Sequence, residues 1–207
     1  MSIVEKIFGL LLKPGDTLYL LKEERNTLQQ TLIYLCMLAL VPFMTTFIGY
    51  TAVGFSGGPE GNIRIAVGST LIHVMVQYIL TVGGVFILAL IVNLLAPKMG
   101  GKENFLQAFK TIAYACTPSL IGGFLSIHPR LSLTGSTAGF LLGLIIAIYG
   151  IYILYQGLSI LMECPKTTIL AYTVMTVIGG IVVWGFLEII NNKIATSIVR
   201  DTISSIL

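Results

Sequence analysis

Long apolar blocks free of Asp, Glu, Lys and Arg alternate with short charged segments along this chain. The five blocks lie between Arg25 and Glu60, Arg64 and Lys98, Lys110 and Arg130, Arg130 and Glu163, and Lys166 and Glu188. A membrane-crossing helix needs about 20 largely apolar residues, and every block supplies them. The pattern predicts an all-α integral membrane protein, a bundle of five transmembrane helices.

Turn residues set the boundaries. The first predicted helix covers about 27–50 and leads into a loop, 54–62, centred on Gly57-Gly58-Pro59. The second covers about 69–96 and stops at Pro97; the third covers about 105–127, before a tight turn at His128-Pro129-Arg130. The fourth runs over about 135–162, ended by Pro165, and the fifth over about 168–190. Loops this short make successive helices antiparallel neighbours in one bundle. The chain therefore divides into an N-terminal segment 1–26, a membrane domain 27–190 and a C-terminal segment 191–207.

Both flanking segments read as short amphipathic helices. Ile3, Val4, Ile7, Phe8 and Leu11 recur at helical spacing until Lys13-Pro14-Gly15 interrupts, and Asp16 is placed to cap a second short helix. At the far end Ile194, Ile198, Ile203 and Ile206 oppose Arg200, Asp201 and Ser204. Such helices are expected in the membrane interface, as anchors of the bundle's edges in preference to benders of the bilayer.

Composition agrees with the pattern: 56% of residues are hydrophobic, 10% are charged, and the mean hydropathy is +0.93. A water-facing surface would need about 25% charge. The net charge is only +3 with no basic run, so nucleic acid is not an expected partner. Membrane lipids are, together with protein partners in the membrane or at its cytoplasmic face. The cations serve better as topology markers. A cytoplasmic N-terminus puts eight Lys and Arg inside (Lys6, Lys13, Lys22, Arg25, Lys98, Lys102, Lys110, Lys166) and four outside (Arg64, Arg130, Lys193, Arg200), the sense of the positive-inside rule. With an odd number of crossings the C-terminus is then outside. No cleavable signal is expected, because charged residues precede the first long apolar run.

Candidate chemistry is sparse. Cys36, Cys116 and Cys164 are isolated, and His73 and His128 stand without an HExxH pattern or paired acids. No metal, cofactor or catalytic residue is expected. Glu188 is read as reaching the interface at the end of the fifth helix. Polar residues inside a bilayer are candidate sites by default, and the fourth helix has the best set. Tyr149, Tyr152, Gln156, Ser159 and Glu163 step by three and four and share one stripe. That stripe suits either a ligand groove or hydrogen bonding to a neighbouring helix, and the second is favoured. Gly135, Gly139, Gly143 and Ala147 form another stripe, suited to close packing within the bundle or in a homo-oligomer. In the third helix Tyr114 and Pro118, with Gly122-Gly123 beyond, predict a kink and a freed carbonyl at Tyr114. Pro42 raises the same question in the first helix. His73, Gln77 and Gly84 share a face of the second.

Several stretches together resemble the Yip-domain (Ypt-interacting protein) family. They are Lys13-Pro14-Gly15 with Lys22-Glu23-Glu24-Arg25; Tyr114-Ala115-Cys116-Thr117-Pro118 with Gly122-Gly123; and Tyr149-Gly150-Ile151-Tyr152 with Tyr155-Gln156-Gly157. The resemblance spans nearly the whole chain and is closest to short prokaryotic members. It implies a five-helix inner-membrane protein with a cytoplasmic N-terminus. Ser159 stands where that pattern usually has proline, implying a straighter fourth helix. The long N-terminal region of eukaryotic members is missing, so their GTPase binding does not carry over. Two readings follow: a non-catalytic membrane organiser, which is preferred, and a small transporter or lipid-handling protein using the polar face of helices three and four.

Overall fold

The computed structural model describes residues 1–24, 27–56, 62–128 and 137–204; the side chains of 55, 56, 62, 63, 195 and 197–204 are outside that description. The predicted turns at Gly57-Gly58-Pro59 and Pro129-Arg130 and the glycine at Gly135 lie outside the described residues, as do Arg25 and Asn26. Among the described residues eight α-helices run in order: α1 Ile3–Leu12, α2 Pro14–Glu23, α3 Leu28–Ile48, α4 Val67–Leu95, α5 Phe105–Ala115, α6 Thr117–Gly122, α7 Thr137–Ile160 and α8 Ile169–Ser204. A π-turn, Gly49–Val53, extends α3, and Phe55–Ser56 pairs antiparallel with Asn62–Ile63.

Helix starts follow local chemistry. Ser2 and Thr27 cap α1 and α3 by accepting from the backbone of Glu5 and Gln30, whose side chains bond back to the cap residues. These reciprocal boxes satisfy donors that a helix start leaves open. Pro14 opens α2 at a position where its missing N–H costs nothing.

Among the described residues four stretches are long and apolar enough to cross a membrane: Leu28–Val53, Val67–Met99, Thr137–Ile160 and Ile169–Ile194. The third charge-free block departs from the single helix expected over 105–127. It consists of α5, then α6, then a 3₁₀ turn over Gly123–Ile127. Pro118 cannot donate to Tyr114, and α5 ends at Cys116, whose ψ of −11° turns the backbone. The pieces still run the length of α3. Lys110 in α5 meets the chain just before α3 begins. At the other end Thr45 of α3 donates to the Gly123 carbonyl at 2.8 Å. Gly123 is closed onto Pro42, whose Cβ would lie 2.7 Å from any Cβ placed there.

The last helix also differs from expectation. α8 does not stop near Ile190 but continues to Ser204, because no Pro or Gly interrupts the sequence from Ile190 onwards. In the bundle α4 packs against α8, α5 and α3, while α7 packs against α5, α6, α8 and α2. The core runs from Leu35, Leu38 and Ala39 through Val85 and Val92 to Phe109, Ile112, Ile153 and Leu158. Leu10, Leu18 and Leu21 of α1 and α2 belong to this same core with no exposed surface.

Candidate functional site: the polar stripe of α7 and the N-terminal hairpin

α1 and α2 form a helical hairpin, closed where Gly9 meets Thr17; a Cβ at Gly9 would stand 2.6 Å from Thr17 Oγ1. Its open end is tied by Glu24, which binds the terminal amine at 3.1 Å and Lys6 Nζ at 3.0 Å. Its closed end carries Lys13, Pro14, Gly15 and Asp16, with Lys13 and Asp16 exposed. One face buries Leu10, Leu18 and Leu21, while Val4, Phe8 and Leu12, four residues apart on α1, point outward.

The stripe on α7 receives this hairpin. Tyr149 Oη donates to the carbonyls of Leu11 at 2.9 Å and Leu10 at 3.3 Å. Those carbonyls belong to the last turn of α1, where no helical N–H remains for them. Further along, a Cβ on Gly15 would lie 3.8 Å from Gln156 Oε1. At the stripe's end Glu163 pairs with Lys22 of α2 at 2.9 Å and with Lys102 at 2.5 Å. The cations opposing Glu163 thus come from the N-terminal segment and a loop, not from another crossing helix. α5 adds a further tie: Lys110, 1% exposed, donates to Leu21 O at 3.3 Å and Glu24 O at 3.4 Å. A cation at the C-terminal carbonyls of α2 is the favourable partner for that end of a helix dipole.

Glu163 adopts φ +52°, in the left-handed region where glycine is usual after a helix. Its hydrogen bonds with Lys102 and then Lys22 draw its carboxyl down to about 2. Both pairs are solvent-facing and individually weak; their effect is to join α2, the 100–104 loop and the end of α7 at one residue.

The remaining sequence candidates separate. Tyr152 is 47% exposed and accepts from Gln156 Nε2 at 3.1 Å, and Ser159 is half-buried. Tyr114 and Pro118 turn into the core: Tyr114 meets Tyr34 edge-on at 5.2 Å, and Tyr34 Oη bonds the neighbouring Thr117 Oγ1 at 2.8 Å. They therefore sit against α3, while Tyr149, Gln156 and Glu163 face the hairpin. Along the glycine stripe Gly139 is buried, Gly143 half-buried and Ala147 exposed. Close approach on α7 is seen at Gly150, against Ala115 O, and at Gly157, against Thr111.

Sequence reasoning missed Lys110 and Lys22 as structural ligands, because a lysine near a helix end reads first as a topology marker. It also missed that Gln77 and Thr81 of α4 meet Glu188 and Asn191 of α8 across a cleft. Each pair is visible at one-turn spacing, but nothing in the spacing says the two helices adjoin.

These features define a class: a polytopic helical membrane protein whose N-terminal segment is folded into the bundle. The Yip1 domain matches residues 8–187, and the chain belongs to that family. It is similar to the inner membrane protein YohC of Escherichia coli strain K12, at 20% identity over 178 residues, covering 86% of this chain and 89% of that protein. YohC of Escherichia coli O6:H1 strain CFT073 matches to the same extent. No solved structure matches.

Proposed function

We propose that this chain is a non-catalytic inner-membrane protein that shapes the bilayer through its N-terminal hairpin. The observation that carries the reading is the charged tip of that hairpin. From α7's end at Ile160 back to Gln156 and Tyr149 is roughly 6 to 16 Å of helix at 1.5 Å per residue, and the tip lies along that stretch. Half of a hydrocarbon core is about 15 Å, so the hairpin occupies one leaflet only. Val4, Phe8 and Leu12 on its outer face suit acyl chains, yet Lys13 and Asp16 at the tip do not. Ionised groups held at such depth draw in water and headgroups and thin the membrane locally. A wedge with a wet tip in one leaflet is a source of curvature.

In this reading residues 1–26 are the N-terminal segment that carries the leaflet hairpin, 27–190 the membrane domain and 191–207 a C-terminal segment. Five crossings are supported by the way the broken segment from α5 onward runs beside the whole of α3. The lysine excess at the hairpin's end of the bundle supports a cytoplasmic N-terminus, with lipids and membrane or cytoplasmic proteins as partners. Tyr149, Gln156 and Glu163 hold the hairpin; Tyr114 and Pro118 shape the bundle behind it. The relatives named as inner membrane proteins support the location.

The test is reconstitution of the full chain into vesicles at increasing protein density, with diameters measured by electron cryomicroscopy. Wild type is expected to shift the distribution to smaller diameters, and the Lys13→Leu/Asp16→Leu variant to leave it unchanged. Equal distributions for both proteins at every density would refute the proposal.

A further inference from the structure

The seam between α4 and α8 carries polar groups that the bundle leaves without partners. Gln77 and Thr81 stand one turn apart on α4, and Glu188 and Asn191 nearly one turn apart on α8; with Leu80 and Trp184 they line a cleft of about 160 Å³. Gln77 Oε1 and Asn191 Oδ1 are out of contact with solvent and meet no hydrogen-bond donor. One turn from Gln77, His73 Nδ1 is in the same condition. The Thr81 hydroxyl hydrogen goes to the Gln77 carbonyl at 2.8 Å, so only its lone pairs remain to offer. Among the described residues Glu188 forms no ion pair.

The cleft has a built wall. Trp184 lies over Gly84, where any Cβ would collide with the indole ring and with Leu187. The ring is 42% exposed and Glu188 is exposed, so the cleft opens outward from the bundle. It lies toward the end opposite the hairpin, where His73 stacks on Tyr50 at 5.8 Å just beyond α3.

Unpaired acceptors and one carboxylate call for a ligand that donates several hydrogen bonds and carries positive charge. Buried amide oxygens without donors are destabilising until one arrives. A primary ammonium offers three N–H donors in compact form, and an indole face attracts it as well. A quaternary ammonium would satisfy the indole and the charge but give nothing to the amide oxygens. The volume, against about 30 Å³ per water molecule, admits an aminoethyl group. We propose that this cleft binds a primary ammonium group, carried by an aminophospholipid headgroup or by a free amine.

The experiment uses the full chain in nanodiscs and native mass spectrometry, with thermal unfolding as a second readout. Dioleoylphosphatidylethanolamine is expected to be retained over dioleoylphosphatidylcholine by about tenfold. Glu188→Gln and Gln77→Leu are each expected to remove most of that preference, and Glu23→Gln, an exposed carboxylate at the other end, to keep it. Asn191→Leu replaces Gln77→Leu if the latter does not fold. 2-Aminoethanol is then added to discs of pure choline lipid. Stabilisation of wild type but not Glu188→Gln assigns the site to free amines; a preference for the ethanolamine lipid without that response assigns it to headgroups. Equal retention of the two lipids with no response to 2-aminoethanol would overturn the proposal. So would an undiminished preference in both cleft variants.

Discussion

Replacing Tyr149 by phenylalanine tests whether the α7 stripe holds the hairpin. The ring stays and only the hydroxyl goes, so packing is nearly conserved. One O–H hydrogen is shared between Leu11 O at 2.9 Å and Leu10 O at 3.3 Å, which makes it one strong bond and one weak one. The Lys13 N–H is no substitute donor, being already committed to Gly9 O at 2.8 Å. The loss is therefore that of a hydrogen bond plus an acceptor left dry, about 1 to 2 kcal/mol. Hydrogen bonds measured inside membranes fall at about 0.6 to 1.7 kcal/mol, so the lower half of that range is the better expectation. Because the hydroxyl touches only the hairpin, the cost falls on hairpin opening and not on the whole bundle. Amide exchange of peptides within residues 3–23, followed by mass spectrometry in nanodiscs, should speed up about 5- to 13-fold. Peptides from α3, α4 and α8 should be unchanged. Tyr152→Phe is the control, since that hydroxyl bonds only Gln156 and the ring is largely exposed. Wild-type exchange in the hairpin of Tyr149→Phe, or a uniform acceleration throughout, would refute the reasoning.

Other expectations bear on the same architecture. Gly9→Ala should loosen the hairpin by about 1 to 3 kcal/mol through overpacking, because Thr17 is fixed by its own bond to Lys13 O; adding Thr17→Ala should restore wild-type exchange. The Glu163 carboxyl, held near 2, should support the hairpin fully above the ordinary carboxylate value of 4.5 and lose that support as pH falls toward 2. Pepsin cleavage of the N-terminal segment should therefore rise across that window in wild type and show a flatter profile in Glu163→Gln. Thr117→Val strands the buried Tyr34 hydroxyl and should lower thermal stability by about 0.6 to 2 kcal/mol. The Tyr34→Phe/Thr117→Val double variant should regain much of it, since the tyrosine hydroxyl is no longer stranded and only the long 3.4 Å bond from Thr117 to Ala113 O stays lost.

The four uninterrupted spans were legible because length and freedom from charge are properties of a single stretch. So was the break before Pro118, since a missing N–H acts on its own helix. The stripe on α7 was legible as a stripe, but its occupant was not. Ile3, Ile7 and Leu10 point one way and Val4, Phe8 and Leu12 the other, so α1 is apolar on two sides, and its spacing looks like an interfacial helix with a slightly wide face. What seats it is Tyr149 reaching the carbonyls of Leu10 and Leu11, a contact between a side chain and a main chain that leaves no trace in residue spacing. α8 ran past its expected end for a different reason: charge marks where a helix leaves the hydrocarbon, not where it stops being a helix.

The anchors of the hairpin also fix an order of events during synthesis. Its bonds join residues 86 to 139 positions apart. The hairpin leaves the ribosome ahead of its anchors and has nothing to close against until Lys110, Tyr149 and Glu163 have been made and their helices inserted. α1 and α2 are thus translated before the residues that hold them and dock late. A chain cut short before Tyr149 would carry them undocked, with Leu10, Leu18 and Leu21 bare to whatever chaperone or lipid meets them first.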